Sequence, residues 1–452
     1  MLTNFLENKF LDILFGRGGW SGKPTSLYMA LFTTTPGDDG TGGVEVSGSG
    51  YARVAVSVAA GNKWTVAAGS ATNAEAITWN VASASWGNIA SIGIYSALSG
   101  GTLYAVIPLS LSVQVDQFNQ FKIDTGGLTL TIAGAVGTYA ANAFLNHWLN
   151  GVAMPVIANI YVALGLGVTA DGVVDSEPLT YGYERKGIVN SSGNFPAAVS
   201  GSKAINNTHA FQTNSTNAWP QVTHMCLMDN FWGQRITSTT NTSNIITTTS
   251  TNLFQNGDRV VFLKHDLSTT QIDGSTLYPN RVFFVRDRTS TTFKAAATSG
   301  GTALVLASAT PAASVGPTAY LCDASSIAVT ATSGNAALAA TAHGLKVGDI
   351  VAFCPNDFAS PASTTYPTTL ALNTSPTAAQ EIRFVVSVTD DTFQLSATRG
   401  GSALTPGTSQ SFSVCRLNRA NVLWQGAMTN ALNIASGDTA QVLDDSMSLT
   451  LD

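Results

Sequence analysis

Near its start the chain places Leu6, Phe10, Ile13 and Leu14 at helical spacing. Asn4 and Glu7 stand where a capping residue and its reciprocal acid belong, and Gly16 stands at the C-terminal stop. The same pattern returns at Asn142, Phe144, Leu145, Trp148 and Leu149, ending at Asn150-Gly151. Elsewhere the period shortens toward two, strictly in Val54–Val58 and more loosely in Ile89–Ile94 and Leu103–Leu111. Turn clusters such as Pro36-Gly37-Asp38-Asp39-Gly40 and Ser47-Gly48-Ser49-Gly50 punctuate these runs. The pattern predicts a mainly β protein whose β-sandwich units each begin with a helix packed on one side.

Internal similarity organises the chain. Leu27-Tyr28-Met29-Ala30-Leu31 returns as Ile160-Tyr161-Val162-Ala163-Leu164, Gly50-Tyr51-Ala52-Arg53 as Gly182-Tyr183-Glu184-Arg185, and the stretch from Trp86 to Ile94 as that from Trp219 to Leu227. Three blocks in one order, offset by 132 or 133 residues, predict two copies of one domain. Copy A spans 1–134. Copy A′ is split: its strand ends at Asn230-Phe231-Trp232-Gly233, and the partner strand resumes at Val422-Leu423-Trp424-Gln425. A′ is therefore 137–233 plus 421–452, with an insertion at a hairpin tip expected to face away from its domain. The insertion is again a pair, since Gly257-Asp258-Arg259-Val260-Val261-Phe262 matches Gly348-Asp349-Ile350-Val351-Ala352-Phe353. Val282-Phe283-Phe284-Val285 likewise matches Ile382-Arg383-Phe384-Val385. Modules B (234–322) and B′ (323–420) read as small β-barrels or sandwiches.

Composition then narrows the function. Only 11% of the 452 residues are charged and the formal net charge is −6, which argues against nucleic-acid binding. No apolar run is long enough to span a bilayer, and the N-terminus lacks the pattern of a secretory signal. Synthesis in a cytoplasm is expected, with Cys226, Cys322, Cys354 and Cys415 as buried free thiols. No residue is assigned a catalytic or metal-binding role and no cofactor is implied. There is no GxSxG elbow, and Gly18-Gly19-Trp20-Ser21-Gly22-Lys23 departs from a phosphate loop at Pro24. The histidines at 147, 209, 224, 265 and 343 are scattered, and Asp171, Asp175 and Glu177 read as a solvated loop.

Two sets of side chains remain as candidates. Tyr51, Arg53, Tyr183 and Arg185 are shared by both copies and could form a subunit interface, or each Arg could hold a loop carbonyl within its own domain. Trp86 and Trp219 read as core. Tyr278, Tyr320, Phe358 and Tyr366 lie in Ser-, Thr- and Pro-rich stretches and are the candidates for glycan or receptor contact, against a packing role beneath long loops.

The helix Thr3-Asn4-Phe5-Leu6-Glu7-Asn8, with Leu27–Thr33, Gly50-Tyr51-Ala52-Arg53 and the block from Trp86 to Ile94, resembles the short virion proteins of tailed bacteriophages labelled phage tail fibre protein. His343–Asp349 with Asp391–Ser396 is similar to a β-module inserted in many phage tail proteins. The resemblance implies a non-enzymatic virion structural protein of the tail fibre or tail adaptor type. Its partners would be other virion proteins of the tail, portal region or capsid, and further copies of itself. The alternatives are a capsid decoration or head-fibre protein, and an adhesin for a host surface glycan acting through the inserted modules. A polysaccharide depolymerase would need clustered carboxylates that the insertion lacks.

Overall fold

A computed structural model describes the chain outside residues 17, 59–62, 133, 166, 169–173, 176, 179–182, 212–217, 220, 241, 249–250, 263–270, 273–274, 277–281, 307–317, 324–325, 355–381, 399, 418–419, 445 and 452. For 167–168, 174–175, 271–272, 275–276 and 353–354 it describes only the backbone. The protein is mainly β, with two α-helices among the described residues, Asn4–Leu14 (α1) and Thr138–Leu149 (α2).

In unit A, Ser26–Thr34 lies at the centre of a five-stranded antiparallel sheet. Gly87–Tyr95 and then Leu103–Val115 extend it on one side, while Val44–Glu45 and Val54–Ser57 pair along the other. Leu27, Met29 and Leu31 alternate onto the face that meets Trp64, Ala71, Trp79, Phe121 and Leu130 from smaller sheets opposite. Unit A′ has the same strand order around Asn159–Gly165, with Lys186–Val189, Val222–Met228 and Val422–Leu432 in the corresponding places. The registers correspond as well: Tyr28 faces Tyr95 across the first sheet and Tyr161 faces Met228 across the second.

Each helix begins where the preceding segment pairs with the edge of its own main sheet. Leu2 bridges Ala105, and Val136 bridges Trp424. The N-cap of α1 is Thr3 rather than Asn4, and its hydroxyl donates to the carbonyls of Leu103 and Tyr104 instead of capping the helix. Helix termination follows the expected rule, with Gly16 just past the C-cap at φ 95°, a conformation that disfavours a side chain.

The expectation that each helix packs within its own unit is only half of the arrangement, because the helices also reach across. Asn8 on α1 accepts a hydrogen bond from Gly201 N of unit A′, 2.9 Å, and Asn142 on α2 accepts one from Gly69 N of unit A, 2.8 Å. These are corresponding positions in exchanged roles, the signature of an isologous contact. Phe10 and Phe144, one from each helix, meet at 4.5 Å between ring centroids and are both fully buried. Asp12 joins the exchange through a 2.7 Å ion pair with buried Lys203. The buried apolar residues of both units consequently form one continuous core.

The two inserted modules are closed six-stranded barrels. In chain order, the first uses Gly233–Thr240, Ile245–Thr248, Arg259–Phe262, Val282–Arg286, Thr292–Ala296 and Thr318–Cys322. The second uses Ile327–Ala331, Leu338–Ala339, Ile350–Cys354, Ile382–Val388, Thr392–Ser396 and Gln410–Arg416. Numbered within each barrel, the order around the wall is 1-2-5-4-3-6 in both. The barrels meet through Trp232, Val261, Tyr320 and Cys322 against Ala352, Ile382, Cys415 and Leu417. Arg416 forms an ion pair with Asp323 across this contact. Cys226 and Cys322 are buried free thiols, as expected, but Cys415 is disulfide-bonded, which corrects the expectation of four free thiols.

Phe144→Ala should remove about 3–5 kcal/mol of stability, because the ring fills the centre of a core shared by two units. Urea unfolding checks this; a loss below about 1 kcal/mol would show that the helix crossing does not hold the units together.

Candidate functional site: the hairpin anchors and the barrel root

Among the described residues, one polar constellation occurs twice. In unit A, the Tyr51 hydroxyl accepts from Leu31 N at 2.9 Å and donates to Glu45 Oε1 at 3.0 Å. Arg53 grips the same carboxylate with Nε at 2.8 Å and a terminal nitrogen at 2.7 Å, a two-pronged charge-assisted pair. Its other terminal nitrogen donates to the carbonyls of Ala97 and Gly100, in the turn between Gly87–Tyr95 and Leu103–Val115. The guanidinium lies 3.6 Å from the centre of the Tyr95 ring.

Unit A′ repeats this arrangement with Tyr183, Arg185 and Glu177. Tyr183 accepts from Leu164 N at 2.9 Å and donates to Glu177 at 2.7 Å, and Arg185 pairs with Glu177 at 2.6 Å. Arg185 then donates to the carbonyl of Asn230, at the hairpin end from which the first barrel departs. Trp86 and Trp219 pack edge-on against the tyrosines at 5.5 and 5.3 Å, which bears out their core assignment.

All four shared residues thus work inside their own units, with Tyr183 and Arg185 buried. The intramolecular reading, in which each Arg holds a loop carbonyl, describes both arginines. Glu177 is buried rather than solvated, which corrects the reading for this residue; Asp171 and the side chain of Asp175 lie outside the described residues. Burial pushes the Tyr183 phenol well above its ordinary value, and the neighbouring Glu177 charge adds to the effect. Burial also opposes the Arg185 charge, but Glu177 outweighs it and the net shift is upward.

The root of the first barrel has its own clasp. Asp229 accepts from both the backbone and the side-chain amide of Asn421, each at 2.7 Å, joining the outgoing chain to the returning one. Phe231, Phe254, Phe293 and Ile246 continue the apolar packing of Tyr161, Cys226 and Met228, so sheet and barrel share a core. Clefts of about 430 and 650 Å³ flank this junction. Polar groups in the larger cleft bond to their neighbours: Asp258 accepts from Gln255 N and Arg288 donates to Asn252 O.

The four residues expected to contact a ligand fare differently. Tyr278, Phe358 and Tyr366 lie outside the described residues. Tyr320 is 2% exposed and packs on Trp232 at 5.2 Å between ring centroids, so its expected exposure is corrected by the contact between the barrels. His343 accepts from Leu345 N, and its other ring nitrogen is bonded to the carbonyls of Thr389 and Thr392, within a turn of the second barrel. Among the described residues no group of three His, Cys, Asp or Glu could hold a metal, and no helix is long and apolar enough to cross a membrane. Sequence reading leaves Glu45 unmarked and places Glu177 only in a solvated loop, although both share the 132-residue offset of their Tyr and Arg partners.

A family model described as podophage GP4 fiber I protein gp80 matches residues 1–131 and 135–270. The chain belongs to this fibre family. No curated protein matches the chain. Membership supports the expectation of a bacteriophage fibre protein, and the matched segments include both anchors and the beginning of the first barrel.

Glu177→Gln should cost about 3–5 kcal/mol by leaving the Arg185 charge buried and unpaired. Glu45→Gln should cost less, since the Glu45 side chain is more exposed than that of Glu177. Paired unfolding curves check the order; equal losses would contradict it. Tyr183 also makes the fold alkali-sensitive. Its raised pKa means that the stabilisation is complete below the unfolded tyrosine value of about 10 and is lost as pH climbs above it. Tyr183→Phe should flatten that decline in a pH series of unfolding midpoints.

Proposed function

We propose that this fibre-family chain is a non-enzymatic structural component of a phage virion, of the tail fibre or tail adaptor type. Units A and A′ dock on the particle, and the two barrels are carried outward from the A′ hairpin. The observation that carries this reading is the barrel root. The chain leaves A′ at a tip held by Arg185, returns through the Asp229–Asn421 clasp, and shares an apolar core with the first barrel. Such a junction holds a module at a set angle, as a static particle component requires. The duplication of A in A′, and of B in B′, is supported by the matching strand orders and the repeated anchor. Placement on a capsid as a decoration or head-fibre protein uses the same geometry on another part of the particle. Association with further copies in a cyclic assembly belongs to the same reading.

Immunogold labelling of purified particles tests the assignment: label at the tail supports it, label on the capsid favours the alternative, and an unlabelled particle overturns both. A glycan role for the barrels rests on Tyr278, Phe358 and Tyr366. Deleting residues 234–420 should then abolish adsorption while particles still assemble; unchanged adsorption would remove that role.

A further inference from the structure

The two helix crossings correspond position by position, yet at two places they are built from different residues. One turn beyond Asn8 and Asn142, α1 carries Asp12 and α2 carries Asn146. Opposite them, Ser202–Ala204 pairs with Ser448–Thr450 as Ser70–Asn73 pairs with Thr129–Thr131, so Lys203 of A′ stands where unit A has Ala71. Where α1 lies on A′, Asp12 accepts from Lys203 Nζ at 2.7 Å and from Ala198 N at 2.8 Å. Lys203 is 2% exposed. Where α2 lies on A, Asn146 turns back along its own helix, donating to Asn142 O and accepting from Asn150, and Ala71 is buried and apolar.

The second difference lies at the helix ends. Val58 N bonds Thr25 O and Asn190 N bonds Ala158 O, which makes Val58 and Asn190 corresponding wall residues. At the end of α1 the wall supplies the polar side chain: Asn190 accepts from Gly16 N at 2.5 Å and donates to Leu14 O at 3.0 Å. At the end of α2 the helix supplies it. Asn150 bonds the amide and carbonyl of Trp64 at 3.3 and 3.0 Å, and the wall offers Val58 beside Gly151.

Pairing like with like would undo both fits. A against A sets Asp12 over Ala71, a carboxylate without its cation, and leaves Gly16 beside Val58 with no amide for the helix end. A′ against A′ sets Asn146 over Lys203, a neutral amide facing a buried ammonium, and crowds Asn150 against Asn190. A buried charge stripped of its partner is strongly destabilising.

We propose that the Asp12–Lys203 pair, with Asn190 beside it, makes the crossing faces of A and A′ selective for each other. A chain folding among identical copies then closes on itself. A symmetric seam would instead join A to A and A′ to A′ of neighbouring chains. The selection rests on what the wrong partner lacks rather than on greater strength of the right contact.

The test gives the first crossing the residues of the second, Asp12→Asn with Lys203→Ala, in the full chain. A tagged and an untagged copy are unfolded in urea and refolded together at roughly 50 µM, and the soluble fraction is captured by the tag. Mixing the same chains without unfolding sets the background and accounts for association between native surfaces. Wild type should stay at that background, and the double variant should carry at least about fivefold more untagged chain through capture. Its thermal midpoint should change little, because neutral replacement of a buried ion pair is often tolerated. Should the alanine variant fail to fold, Lys203→Met with Asp12→Asn keeps the volume of the stem and is read in the same way. Glu45→Gln, a destabilising change away from the crossing, should remain at the wild-type level. Wild type that exchanges as freely as the variant, a folded variant that stays at background, or an equal rise with Glu45→Gln each overturns the proposal. Particle labelling is a separate measurement, so failure here is distinguishable from failure of the virion assignment.

Discussion

The crossing of the two helices is the contact on which the rest of the molecule depends. Phe10 and Phe144 meet where each helix leaves its own main sheet and enters the territory of the other unit. With so little charge in the chain, apolar burial at this crossing and at the two sheets supplies most of the driving force for joining the units. Reciprocity adds geometric definition: Asn8 and Asn142 each satisfy one backbone amide of the opposite unit, so a shift that loses one contact loses its counterpart. The arrangement is that of a symmetric dimer made within a single chain.

Charge is scarce, and at two places it gives loops a defined position. Glu45–Arg53 and Glu177–Arg185 fasten the hairpin ends of the two sheets from inside. A buried pair of this kind is poor evidence of net stabilisation, because desolvation offsets much of its attraction. Its value is positional. Moving the loop away would leave a guanidinium and a carboxylate without partners in a dry site, so the hairpin end has one low-energy place to be. In A′ that fixed place is the foundation of the first barrel.

Much of this was legible in the sequence, and the reason lies in the repeats. Helical spacing located both helices, and the recurring Tyr51-Ala52-Arg53 and Tyr183-Glu184-Arg185 drew attention to two members of each anchor. The third member escaped because Val44-Glu45-Val46 and Ser176-Glu177-Pro178 share only the acid, and a single matching residue carries no visible similarity. The helix exchange was also hidden. Repeats reveal which positions correspond, but they say nothing about whether a helix satisfies its own copy or the other one. Barrel closure depends on which strands pair across the wall, and alternation within a strand is the same in an open sandwich. Tyr320 illustrates the limit: its neighbours in sequence are compatible with an exposed loop, and its burial comes from Trp232 and from second-barrel residues such as Ile382 and Cys415, all distant in sequence.

The route of the chain through the inserted pair has a mechanical meaning. It passes from A′ into the first barrel, on to the second, and back to A′ beside its point of departure. Three bodies joined in this way form a closed linkage rather than a string. A string lets its last member swing about every joint, whereas in a triangle any rotation of one body must be matched by the other two. The contact between the barrels, with the bridge from Cys322 to Leu417, closes the third side. A load applied to the second barrel is therefore divided between two covalent paths into the same sheet, which opposes bending without a stiff stalk.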